Sequence, residues 1–169
     1  MMQIKNILVP IDYSTSSYNV FELGHCLAKH NSANLHLIHV IDSVYYNAQQ
    51  STISNIEFIH KIRFENAKEE LQKFKFEVPH SDVDITEVLV EGIPHKEILS
   101  YAKQNDIDMI VIASHGWTNL PNMLMGNTAN KIMRQANIQV ICIKSNLSVI
   151  KNRTIRKQNI KENWNGQVF

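Results

Sequence analysis

The chain has 169 residues, 44% hydrophobic and 20% charged, with a formal net charge of +1 and only two cysteines. These values describe an ordinary globular domain, long enough to bury roughly 70% of its unfolded surface without disulfide or metal staples. They exclude a membrane helix, since no apolar run approaches the roughly 20 residues needed, and a disulfide scaffold; with only Ile7-Leu8-Val9 before Pro10, no secretory core is read either, and a cytoplasmic location is expected.

Ile7-Leu8-Val9 reads as a short buried strand ending at Pro10, where a proline is tolerated because pairing stops. Ser14 to Ser17 supply helix caps, and Val20, Leu23, Gly24 and Leu27 follow on one helical face. Leu35 to Ile41 forms a second strand, and residues 43–55 are polar and patternless, so they read as a long loop. A charged amphipathic helix runs from Ile56 to Phe76, with Phe64, Ala67, Leu71 and Phe74 as its inner stripe. Val83 to Val90 is a third strand, and Asp84 and Glu87 mark it as an edge. Pro94 is well placed to begin the next helix, which carries Ile98, Leu99 and Ala102 up to Asn105. Met109–Ala113 has hardly a polar atom and reads as a strand buried on both faces. Ala129, Ile132, Met133 and Ala136 define a further helix, and Val140–Ile143 is the last strand.

Strand and helix alternate throughout. That pattern predicts an α/β fold, a doubly wound three-layer sandwich around a five-stranded parallel sheet. Residues 1–146 make the domain and residues 147–169 a basic extension, expected to be flexible. Residues 151–169 carry a formal charge of +4, leaving −3 on the remainder. A mildly acidic body argues against a nucleic-acid surface, and a short basic tail reads as solvated.

The stretch richest in chemistry is Ala113-Ser114-His115-Gly116, nine residues, then Gly126-Asn127-Thr128. Small residues where a buried strand ends let a ligand approach the backbone. Unpaired N–H groups at a helix N-terminus are a natural seat for phosphate. Two such corners in one strand–loop–helix unit point to a nucleotide at the carboxyl edge of the sheet, although glycines after strands also serve as plain turns and caps.

Together with Ile7-Leu8-Val9-Pro10-Ile11-Asp12, His39-Val40-Ile41-Asp42 and Gly92-Ile93-Pro94, this stretch resembles the universal stress protein family over about residues 4–146. The resemblance implies the five-stranded sheet and a homodimer formed through the last strand, Val140–Ile143, which would otherwise expose a sticky edge. One branch of the family binds ATP through Gly-x2-Gly-x9-Gly-Ser/Thr. By that resemblance Pro10, Ile11, Asp12 and Val40 surround the adenosine, with Asp12 accepting from the ribose hydroxyls. Ala113, His115, Gly116, Gly126, Asn127 and Thr128 surround the phosphates, with Mg²⁺ admissible beside them although no dedicated metal carboxylate is evident.

Two positions depart from the motif. Ala113 replaces its first glycine, at little cost if the backbone is extended but about 1 kcal/mol if φ is positive. Asn127 replaces the hydroxyl residue, a loss of about 1.5–3 kcal/mol, roughly tenfold to hundredfold in affinity.

Other chemistries find less support. His36 and His39 are three apart in a strand and face opposite ways, no Cys/His spacing suits zinc, and His115 alone among the histidines lies in the phosphate loop. Asp12-Tyr13-Ser14 lacks the glycines of a nucleophile elbow, and no Gly-x4-Gly-Lys-Ser/Thr loop is present. The expectation is a dimeric, ATP-binding regulator acting in stress response. A nucleotide-free adaptor stays open beside it, with an unidentified protein partner anchored by Trp164 and Phe169. Enzymatic activity is left open at most as slow ATP hydrolysis.

Overall fold

The computed structural model describes residues 3–43, 56–77, 82–115 and 125–144. The loop expected at 43–55 (beyond Ser43), Gly116, and the extension with Trp164 and Phe169 lie outside the described residues.

Among the described residues nine elements follow the predicted alternation: β1 Asn6–Ile11, α1 Thr15–Asn31, β2 Asn34–Asp42, α2 Ile56–Glu77, β3 Ile85–Gly92, α3 Pro94–Gln104, β4 Met109–Ala113, α4 Asn127–Gln135 and β5 Gln139–Ile143. The strands form one parallel sheet in the order β3-β2-β1-β4-β5. The order reverses between β1 and β4, and in such sheets the crevice outside the strands' carboxyl ends opens at that reversal.

Alternation along the strands feeds two cores. Ile7, Val9, Ile11, Leu35, Leu37, Met109 and Val111 face α1 and α2, where Val20, Phe21, Leu71 and Phe74 meet them. Leu8, Ile38, Ile110 and Ile112 face α3 and α4, against Ile98, Ala102, Ala129 and Ile132. Each fully buried side chain of this kind contributes about 1.5–3 kcal/mol. Gly24 sets how closely α1 lies on the sheet, because a Cβ there would stand 2.5 Å from Val9 Cγ2. That close packing holds the middle of α1 against β1 and β2.

Three details differ from the sequence reading. β1 does not end at Pro10; Pro10 and Ile11 stay in register with Ile38 and His39 of β2. The ladder to β4 covers only Ile7 and Leu8, so by Pro10 the two strands have parted and the missing N–H costs no rung on that side. In α2, Leu71 and Phe74 are buried and Ala67 half-buried, but Phe64 is 43% exposed. Only the last turns of this long helix lie over the core; its first half is tied to strand ends, with Arg63 donating to the Asp42 carbonyl and His60 paired with Glu91. β3 sits two residues later than predicted and is an edge, as expected.

Candidate functional site

At the carboxyl ends of β1, β2 and β4 the sheet opens into a cavity of about 420 Å³. Three corners line it.

The first corner is the turn from β1 into α1. Tyr13 takes a left-handed backbone with φ of 61°, which for a non-glycine residue costs about 1–3 kcal/mol. This turn lets the Ser14 amide and the Ser17 hydroxyl both donate to Asp12 Oδ1, at 3.0 and 2.8 Å. The Asp12 amide donates to Ser17 Oγ at 3.0 Å. The carboxylate is therefore fixed before any ligand arrives. Tyr13 itself is held by its hydroxyl, which donates to the Ala67 carbonyl at 3.1 Å, and by ring contacts with Phe74 and His39. Burial and nearby Glu70 push its phenol above the ordinary value, so it stays a donor. His39 donates from Nδ1 to the Ile11 carbonyl at 3.0 Å, since a carbonyl only accepts. Burial holds this imidazole below its usual pKa of 6.5, so it is neutral near pH 7.

The second corner is apolar. Ile38, Val40, Pro94, Ile98 and Ile112 line it, and Asp42 stands at the end of β2. Flat, weakly polar ring systems suit such a wall.

The third corner is the passage from β4 to α4. Ala113 ends β4 in register with Ile143; its backbone is ordinary strand, with no positive φ, so alanine carries no strain there. Ser114 Oγ lies 2.9 Å from His115 Nδ1. Gly126 precedes α4 with φ of −66°, so its glycine is required by closeness rather than by a left-handed backbone. Its amide donates to the Ser114 carbonyl at 2.7 Å, and an added Cβ would sit 3.2 Å from that oxygen. The Gly126 N–H is thus spent on closing the corner. The first intrahelical bond runs from Asn130 to Gly126. The amides of Asn127, Thr128 and Ala129 therefore have no carbonyl within the helix, no side chain among the described residues caps them, and all three residues line the cavity.

The structure thus gathers Pro10, Ile11, Asp12, Val40, Ala113, His115, Gly126, Asn127 and Thr128 around one space; Gly116 is outside the described residues. Sequence reasoning read Ser17 only as a helix cap and Ala129 only as part of an apolar helix face, and it placed neither of them, nor Ser114 or Asp42, in the site. The Asp-x4-Ser spacing at a strand–helix turn is the signal that would have found Ser17. As expected, His36 and His39 turn to opposite faces: His36 meets Tyr101 of α3, and His39 meets Tyr13. Among the described residues no group of three His, Cys, Asp or Glu side chains could hold a metal.

A sequence model described as the universal stress protein family matches residues 3–144. A universal stress protein of Methanocaldococcus jannaschii is 27% identical over 153 residues, spanning 83% of this chain and 94% of that protein. The solved universal stress protein UspA of Lactobacillus plantarum superposes with a TM-score of 0.70 at 25% identity, over 85% of this chain and 99% of that one. A universal stress protein of Archaeoglobus fulgidus, solved in complex with dAMP, superposes with a TM-score of 0.52 at 22% identity, over 85% and 100% of the two chains.

Proposed function

The chain belongs to the universal stress protein family, and on that premise we propose that it binds an adenine nucleotide in this cavity. The nucleotide we expect is ATP, and its binding regulates what the protein presents to partners. One observation carries the reading: the Asp12 carboxylate and the unpaired first-turn amides of α4 line the same space. A nucleoside needs both, an acceptor for sugar hydroxyls and a bed of N–H donors for phosphate. The base goes against Val40 and Ile38. Ala113 keeps an extended backbone and Gly126 is engaged with Ser114, so the phosphates rest on Asn127, Thr128 and Ala129. Mg²⁺ would enter with a triphosphate, held by phosphate oxygens and water. A universal stress protein of the same fold, from Archaeoglobus fulgidus, is solved in complex with dAMP, an adenine nucleotide.

The regulatory half follows from connectivity. α4 leads into β5 after three residues, and the Ser114 amide donates to Ile143 at the end of β5. β5 is the outer strand, its apolar residues Val140 to Ile143 half-buried. Pairing with its copy in a homodimer would cover that edge. Among the described residues no helix is long and apolar enough to cross a membrane, and a cytoplasmic setting completes the proposal.

The test is direct. Protein purified and then denatured is assayed for released adenine nucleotide, and the emptied protein is titrated with ATP by calorimetry. Bound adenine nucleotide, or binding with one ligand per chain, supports the reading. Absence of both leaves the nucleotide-free adaptor. Light scattering at micromolar concentration tests the dimer, and a monomer there removes it.

A further inference from the structure

We infer that the site grades adenine nucleotides by phosphate charge, holding a single phosphate, linear or cyclic, more tightly than magnesium-free ATP. This rests on the nucleotide reading and adds to it which ligand the site prefers and why.

The charge inventory carries the inference. Asp12 and Asp42 line the cavity, and no lysine or arginine among the described residues does. The sequence extends this beyond the described residues. There is no Lys or Arg in 6–28, 30–60 or 104–130, which hold the β1 corner, all of β2, and the whole passage from β4 into α4. Arg63 reaches the rim at the Asp42 carbonyl, at the end of β2 and so two strands from β4, about 10 Å away. Lys96 and Lys131, which act on His95, line no part of the cavity, and neither does Lys144, although it follows Ile143, whose carbonyl accepts from the Ser114 amide.

What remains for an anion is the N-terminus of α4, equivalent to about half a positive charge, with three N–H donors. A phosphate monoester carries about −1.5 to −2 near neutral pH, which this end can seat. Each further phosphate adds negative charge that meets no cation among the described residues lining the cavity and shares that space with two carboxylates. A divalent cation bound to the phosphate chain removes most of that excess, so the triphosphate is admitted as its magnesium complex.

The experiment uses the full chain, basic tail included, at pH 7.5. Adenosine, AMP, cyclic AMP, ADP and ATP are titrated by calorimetry in EDTA, then again in excess Mg²⁺. Expected are tightest binding by a one-phosphate ligand, at least tenfold weaker binding of ATP in EDTA, and recovery of most of that deficit by Mg²⁺ with AMP unchanged. The deficit narrows as salt rises, because added ions screen the repulsion. An Asn127→Lys variant, placing a cation at the first position of α4, raises ATP affinity in EDTA at least tenfold more than AMP affinity. Binding of ATP in EDTA as tightly as AMP overturns the inference and leaves the nucleotide reading standing. Equal binding of adenosine and AMP also overturns the inference, because phosphate is then not read. Failure of every nucleotide to bind overturns both. A folded Asn127→Lys protein with an unchanged ATP-to-AMP ratio counts against the charge argument on its own.

Discussion

The two polar corners of the cavity are built on opposite principles. At the β1–α1 corner the carboxylate is held from several sides: Asp12 Oδ1 takes two donors, the Asp12 amide reaches Ser17, and the left-handed Tyr13 is clamped by Ala67 and Phe74, while the buried Ser14 hydroxyl has no partner among the described residues. At the β4–α4 corner, among the described residues, one bond from Gly126 to Ser114 closes the backbone, and the helix beyond it begins with no side-chain cap. One corner fixes its carboxylate without ligand; the other leaves donors whose natural partner is an anion. On the proposed nucleotide reading, recognition of the sugar would be preorganised, whereas binding of phosphate would be where a ligand adds stability to the fold. Since α4 runs on to β5, that is also where binding can be felt at the outer edge.

The largest break in this comparison comes at Gly126. Gly126→Val places a branched side chain where even a Cβ would stand 3.2 Å from the Ser114 carbonyl. The corner must open, and the first turn of α4 is displaced from the phosphate position. Binding of AMP is expected to fall at least hundredfold, with about 1–3 kcal/mol lost from folding, measured by calorimetry and urea denaturation. Wild-type affinity in this variant would mean the donors are not where phosphate binds.

Next is Asp12→Ala. It removes the acceptor for a ligand and strands the Ser14 amide and the Ser17 hydroxyl. Loss of charged hydrogen bonds of about 1.5–3 kcal/mol corresponds to roughly tenfold to hundredfold in affinity. Folding loses about 1–3 kcal/mol for the unsatisfied donors. Asp12→Asn separates the two effects, because its carbonyl oxygen can still accept from Ser14 and Ser17. Stability is expected to recover largely while nucleotide affinity does not.

The contrast between the corners also explains what could be read from residues alone. Both buried strands, β1 and β4, announce themselves because a parallel sheet covered on two faces demands continuous apolar runs. The α4 corner was legible because uncapped helix starts after small residues are a local pattern. The β1 corner was legible only as far as Asp12. Its rigidity depends on Tyr13 adopting a left-handed backbone, which tyrosine seldom does and no periodicity encodes, and on Ala67 and Phe74, more than fifty residues away. Phe64 fails for a related reason: its helical spacing is right, but position over the sheet, not spacing, decides burial. Gly126 was identified as important, yet its reason is the approach of the Ser114 backbone, a fact of tertiary packing.

Acid should weaken the locked corner selectively. Burial lowers the folded-state pKa of His39 from 6.5, and likewise that of His36 beneath α3 and, with repulsion from Lys131 and Lys96, that of His95. The unfolded chain then takes up protons first as pH falls. The stabilisation is complete above about pH 6.5 and is lost as pH drops through the lowered folded values. Thermal melting followed from pH 8 to pH 5 should be level above 6.5 and decline below it. In His39→Gln the decline should be shallower, with the His36 and His95 contributions left. An unchanged slope in that variant would place the acid sensitivity outside the Tyr13–His39 contact.

The smallest effect tests the clamp on the strained turn. Tyr13→Phe keeps the ring against His39 and Phe74 and removes only the donation to the Ala67 carbonyl. A net loss of about 0.5–1.5 kcal/mol is expected, because α2 then holds the left-handed residue by packing alone. If Tyr13 matters only for folding, nucleotide affinity is untouched once the protein is folded. If it holds Asp12 in place, affinity falls severalfold with the stability change, since a turn freed to relax no longer presents the carboxylate at one angle. The preorganised corner predicts the second outcome. Affinity indistinguishable from wild type would reduce the turn to a structural device and leave Ser14 and Ser17 as the groups that aim Asp12.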